Sequence, residues 1–201
     1  MEIVNGKEYT NCNFDNMYLD MREINNCRFI GCTFHSTHFE ESITNRCEFT
    51  ECDFRGVRFN VSIHNTSAFT NCRFSYADLF SARFVECKMT GSTFEEANMI
   101  GVEVSYGNWS YTNLRLNNLK GIDFSYVKLT RADLYGCDLE NVKFYGADLS
   151  YANLVQAKIK GADLRNSKID GIDLVNIDLK GVRIDIPQSI MVAQAYGAIV
   201  G

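Results

Sequence analysis

Every fifth residue from Val4 to Ile184 is apolar at 35 of 37 positions, and no insertion or deletion ever shifts the frame. The two exceptions are Thr44 and His64. A period of five matches neither the 3.6 of a helix nor the two of a strand, so the chain is a repeat array. All eight cysteines lie two residues before a position of this apolar column, a slot otherwise filled mostly by Ala, Ser, Thr or Val. Side chains two apart on an extended strand share a side, so the small and large residues both face inward and the residue between them faces out. Eleven of the fourteen glycines fall two residues after a column position. Glycine tolerates positive φ, which marks that slot as a turn and makes each pentad a short strand followed by a corner.

Like residues recur at twenty: Phe14, Phe34, Phe54, Phe74 and Phe94; Cys12, Cys32, Cys52 and Cys72; Asn5, Asn25, Asn45 and Asn65. Four pentads therefore close one coil. The spacing predicts an all-β solenoid of about nine coils, a rod of about 45 Å at roughly 4.8 Å per coil.

The regularity ends after Ile184. Asp185-Ile186-Pro187-Gln188 reads as a helix start, with Gly197 as its stop. This divides the chain into a repeat region, 1–186, and a terminal segment, 187–201. A short helix that is apolar on nearly every side belongs against another surface. Part of it caps the unpaired edge of the last coil. The remainder predicts a two-fold dimer through Pro187, Ile190, Met191, Val192, Tyr196, Ile199 and Val200.

Two other breaks stand out. Thr44 and His64 share one wall, each preceded by an isoleucine, which suggests a shift that turns isoleucine inward or bends the wall. Farther on, the column changes from phenylalanine to leucine around Trp109, the only tryptophan. Gly107 in its small slot is expected to make room for the indole, with a bend or altered cross-section over 102–118.

Composition excludes several classes of function. With 46% hydrophobic residues among 201 the chain can bury a continuous core, and its single proline leaves no linker. No apolar run reaches the eighteen or so residues of a membrane span, and Met1 to Thr10 lacks a signal-peptide pattern, so a cytoplasmic protein without membrane contact is expected. Cysteines stacked along one wall cannot converge on a zinc ion, and their parallel Cβ vectors disfavour disulfides. His35 and His38 point outward. No nucleophile, base and orienting group fall at readable spacing, and phosphate-binding and metal-hydrolase motifs are absent, so neither catalysis nor a cofactor is expected.

The stretches Ala132-Asp133-Leu134, Ala147-Asp148-Leu149-Ser150-Tyr151-Ala152-Asn153-Leu154 and Gly161-Ala162-Asp163-Leu164-Arg165 resemble the A(D/N)LXX consensus of pentapeptide repeat proteins. That resemblance implies a right-handed quadrilateral β-helix. The stretch Gly56-Val57 with the segment from Ser62 to Phe74 resembles the MfpA fluoroquinolone-resistance protein, and the ending from Val182 to Gly201 is similar to the endings of both MfpA and the Qnr proteins. This implies a DNA-mimicking rod, dimerised at its C-terminus, that binds DNA gyrase or topoisomerase IV and protects it from quinolones or related poisons. Qnr proteins often carry loops that interrupt the coils, and this chain has none. The alternative is a repeat scaffold for another macromolecule, because the fold itself dictates no partner.

Charge limits the mimicry. The net charge is −5 and lies wholly within residues 1–100. A 45 Å duplex would carry about 26 charges. Shape and local acidic patches must supply the imitation, with Asp15, Asp53, Glu95, Glu96, Asp133 and Asp173 on one wall, and Glu40, Glu41, Asp78, Asp138 and Asp178 on the next. An acidic surface also argues against nucleic acid as a direct partner.

Overall fold

The corner is the unit from which this molecule is built. In the computed structural model, which describes residues 2–201, the residue two after each column position is left-handed from Gly6 to Gly181, with Asn176 alone excepted. Most of these residues are not glycine: Asn16, Tyr76, Glu96 and Leu116 sit at φ 59°, 59°, 53° and 61°. A left-handed residue with a Cβ costs roughly 1–2 kcal/mol, so the stacking of coils must hold each corner in place. Glycine serves a second purpose here. A Cβ on Gly146 would lie 2.8 Å from the Tyr126 ring, and one on Gly171 would lie 2.3 Å from Tyr151. Glycine thus appears where a large side chain leans up from the corner below.

Every pairing is parallel and joins residues twenty apart, as in Phe29 with Phe49 and Phe49 with Phe69. One sheet stacks Glu8–Thr10, Arg28–Ile30, Glu48–Thr50 and Ala68–Thr70. The second stacks Glu23–Asn25, Ile43–Asn45, Ile63–Asn65, Arg83–Val85 and Glu103–Ser105. The molecule is a parallel β-solenoid, and its continuous strands span about five turns, fewer than the nine coils expected. Beyond Ser105 the twenty-residue pairing persists only as isolated bridges, such as Lys128 with Asp148 and Asp163 with Arg183.

The loss of strand follows from the corners. On the Phe34 and Phe39 walls, the column carbonyl accepts the N–H three residues on, as Phe34 does from Thr37 at 3.3 Å and Phe39 from Ser42 at 3.1 Å. After the strand-bearing walls the corner is open, and that carbonyl takes a donor from the next coil instead. Cys47 Sγ donates to Ile24 O at 3.3 Å, Cys52 to Phe29 O at 3.4 Å, Cys72 to Phe49 O at 3.4 Å and Cys87 to His64 O at 3.1 Å. Ser67 and Ser92 bond Thr44 O and Phe69 O in the same manner. Small size is therefore only half of the slot's rule, since above the open corners from Val4 to Phe69 the slot residue of the next coil also donates. Burial pushes the thiols of Cys47 and Cys87 up to about 11 and about 12, so both remain protonated donors at neutral pH. From Met89 onward almost every corner closes on itself, and Cys137 is the one cysteine left in the slots, which alanine, valine and isoleucine largely fill.

The core is a stack of rings. Phe14, Phe34, Phe54, Phe74 and Phe94 lie nearly parallel, with centroids 4.7–5.0 Å apart. Trp109 continues the aromatic stack, lying on Phe94 at 5.6 Å and edge-on to Phe84 and Phe124, with its Nε1 buried and unpartnered. Gly107 does not make space for this indole as expected. A Cβ there would lie 2.3 Å from the Cys87 carbonyl oxygen, and the residue holds φ at 100°, so the space it preserves belongs to the backbone below. Gly107→Ala should destabilise the protein by roughly 3–5 kcal/mol, as strain and overpacking combine. Gly121→Ala, at a corner with open space above it, should lose only about 1–2 kcal/mol. Urea denaturation of the two variants measures the difference.

The C-terminal helix, Ile186–Ala195, is fastened to the last coil by its own cap. Asp185 accepts the Gln188 N–H at 3.0 Å and the Asn166 N–H at 2.7 Å. Gln188, the one buried helix residue, donates its side-chain amide to the carbonyls of Leu164 and Ser167. A buried glutamine in this position satisfies backbone acceptors that no further coil can reach.

Candidate partner-binding surfaces

Thr44 and His64 remain inward and fully buried, whereas Ile43 and Ile63 stay on the outer side, so neither isoleucine turns in. His64 occupies its column position as a ring would, 4.9 Å from Phe84 in a stacked arrangement and edge-on to Phe59 and Phe69. Its polarity is met by hydroxyls. Ser62 Oγ donates to Phe59 O at 2.7 Å, which leaves its oxygen to accept from His64 Nε2–H at 2.9 Å. Nδ1 then accepts from the Thr44 hydroxyl at 2.8 Å. This is a neutral imidazole with no carboxylate partner, and burial drives its pKa down to about 3. The isoleucines before Thr44 and His64 gave no hint of this; the informative signal was the hydroxyls at 44, 62 and 67, which converge only across coils.

The outer acids divide into employed and free. Asp53, Asp78, Asp133, Asp138 and Asp178 each accept, through Oδ1, the N–H two residues on, which closes an Asx turn into the corner. The carboxylate of the (D/N)L dipeptide is therefore a structural cap whose second oxygen can still reach outward. Asp15 and Asp53 flank His35 at 3.2 and 3.1 Å, and Asp53 also binds Arg55 at 2.8 Å. Burial alone would raise the Asp53 carboxyl, but the hydrogen bonds from Arg55 and His35 outweigh it and hold the group below its ordinary range. Asp133 pairs with Arg115 at 3.1 Å. Asp173 accepts from Asn176 at 2.7 Å beside the 3-10 turn Leu174–Asn176. Glu40 is shared between His38 and Arg58. Glu41, Glu95, Glu96, Asp78, Asp138, Asp173 and Asp178 have no cationic side chain within 4.0 Å among the described residues.

At the C-terminal end, Pro187, Ile190, Tyr196, Ile199 and Val200 are exposed, Ile199 almost completely at 99%. Met191 and Val192 lie half-buried against the chain's own core. No helix is long and apolar enough to cross a membrane.

Inward rings, outward caps and paired charges leave a rod whose surface consists of periodic polar side chains and a few exposed apolar ones. These features define a parallel solenoid of five-residue repeats. The chain belongs to the pentapeptide repeat family: the family model for the pentapeptide repeat region matches residues 42–124 and 77–154. A search of curated protein sequences finds no match. Among solved structures, a trypsin-treated form of QnrB1, a plasmid-mediated fluoroquinolone resistance protein, is similar at a TM-score of 0.68 and 20% identity, covering 98% of this chain and 100% of that one. Full-length QnrB1 gives a TM-score of 0.59 at 18% identity, over 95% and 100% of the two chains. HetL of the cyanobacterium Nostoc, involved in heterocyst differentiation regulation, gives 0.56 at 18%, over 91% and 90%.

His64 carries a pH dependence. The unfolded chain takes up a proton near pH 6.5 while the folded chain resists until about 3, so stability falls as pH drops through that interval. Between pH 7 and pH 5 the loss due to His64 should be about 2 kcal/mol. His64→Phe should remove most of this slope while leaving stability at pH 7 within about 2 kcal/mol of the parent, as measured by urea titrations at several pH values.

Proposed function

We propose that this protein is a DNA-mimicking rod that binds DNA gyrase or topoisomerase IV and protects it from quinolones or a related poison, as the Qnr and MfpA proteins it resembles do. The observation that carries the reading is the solenoid likeness to QnrB1 along nearly the entire length of both chains. The free carboxylates Glu95, Glu96, Asp138, Asp173 and Asp178 stand in for phosphates at intervals along two walls, while the paired acids contribute shape more than charge. The exposed apolar end joins two copies through Pro187, Ile190, Tyr196, Ile199 and Val200 and doubles the rod. Met191 and Val192 support that surface from beneath.

A second reading, a scaffold for another macromolecule, has its own support. HetL shares the fold over nine-tenths of both chains, and its described role lies in differentiation. Supercoiling assays with purified gyrase, with and without a quinolone, separate the two. The first reading expects inhibition by the protein alone and partial rescue in the presence of drug; absence of both leaves the scaffold.

The dimer has its own test. Ile199→Asp with Ile190→Asp places two charges in an apolar contact and should convert the dimer to monomer, read as halved mass in light scattering. Folding should be unaffected, because Gln188 and Asp185 still seal the last coil. Unchanged mass would exclude this contact.

A further inference from the structure

The exposed apolar side chains are not spread evenly around the rod. Between Gly56 and Gly101 the exposed large ones are Val61, Tyr76, Phe80 and Ile100, at 51, 61, 44 and 55% exposure. All four border the Phe39 wall, Tyr76 at the corner where the wall begins and the others at the corner where it ends. Phe80 and Ile100 occupy equivalent positions twenty residues apart, and Val61 belongs to the coil below, at the position equivalent to Ser81. Asp78 lies between Tyr76 and Phe80, held by Asn60 at 2.7 Å and Asn98 at 2.9 Å.

Stacking accounts for several of the other surface rings but not for these. Tyr126 and Tyr151 lean under Gly146 and Gly171, Tyr106 stacks on Tyr126, and Arg131 covers Tyr151. Among the described residues, Tyr76 and Phe80 belong to no ring pair. An apolar cluster of this kind, set among polar residues, marks an interaction site.

Charge indicates what fits it. Along the Phe39 wall up to Gly101, Asp20, Glu40, Glu41 and Asp78 face Arg58 alone. The free Glu95 and Glu96 flank the adjoining corner. Over the same coils, the Phe29 wall and the Thr44 and His64 wall carry acids and bases in equal number. We infer that the face around Val61, Tyr76, Phe80 and Ile100 docks a protein surface that sets exposed apolar side chains among basic residues. Aromatic and branched side chains supply the desolvated centre, and the carboxylates steer and orient the partner. Nucleic acid is repelled by the same carboxylates. The inference rests on the reading of this chain as a partner-binding rod and identifies the wall that makes the contact.

The test uses the full chain and a labelled amphipathic leucine–lysine peptide, with an all-lysine peptide of equal charge as control, read by fluorescence anisotropy. The double variant Phe80→Ser with Ile100→Ser should weaken the leucine–lysine peptide on the order of tenfold. Tyr106→Ser with Tyr126→Ser, beside the Phe29 wall, should leave it unchanged. All these residues are exposed, so circular dichroism should match the parent. Equal losses in the two variants, failure of the leucine–lysine peptide to bind, or equally tight all-lysine binding would each overturn the assignment.

Repeating the comparison with gyrase separates this inference from the functional reading. If the parent does not inhibit gyrase but the peptide result holds, the gyrase reading falls and the docking wall stands. If gyrase is inhibited equally by the parent and by the Phe80 and Ile100 variant, the docking wall falls and the gyrase reading stands.

Discussion

Each residue of this protein lies over the residue twenty places before it, and that coincidence depends on every corner turning in five residues. One inserted residue would rotate all later side chains by a fraction of a wall and remove ring from ring. Because the frame holds, phenylalanine meets phenylalanine at about 5 Å. By the same logic Asn45 donates to Asn25 and Asn65 to Asn45, at 2.8 and 2.9 Å. The left-handed corners are individually unfavourable, and cooperation between coils, each bonded to the one above and below, maintains them.

The same constraint assigns most polar groups to the fold. A carbonyl at an open corner finds a thiol or hydroxyl from the next coil, a corner N–H finds the aspartate before the column, and the last coil's carbonyls find Gln188. His64 is tolerated in the core because Thr44 and Ser62 saturate both ring nitrogens. What remains unassigned is small: a few unpaired carboxylates, an apolar C-terminal end and one apolar cluster beside the Phe39 wall.

Much of this was legible in the sequence. The column, the small slot, the turn position and the twenty-residue repeat all appeared as periodicity, and Asp185 with Pro187 and Gln188 announced the helix. Other features were misread because their partners are distant in the chain. The cysteines looked like small fillers, although seven of the eight sit at open corners and thereby marked the strand-bearing walls. Gly107 looked like space for Trp109, but the atom that excludes a Cβ belongs to Cys87.

The sequence by itself determined the frame, because a five-residue pattern needs no knowledge of neighbours: each pentad states which residue is inside and where the chain turns. Only the tertiary structure decided which corners open, which carboxylates remain free and where exposed apolar side chains gather. Those outcomes depend on what residue i meets at i+20 and i+23, and a contact between coils leaves no local mark in either pentad that makes it.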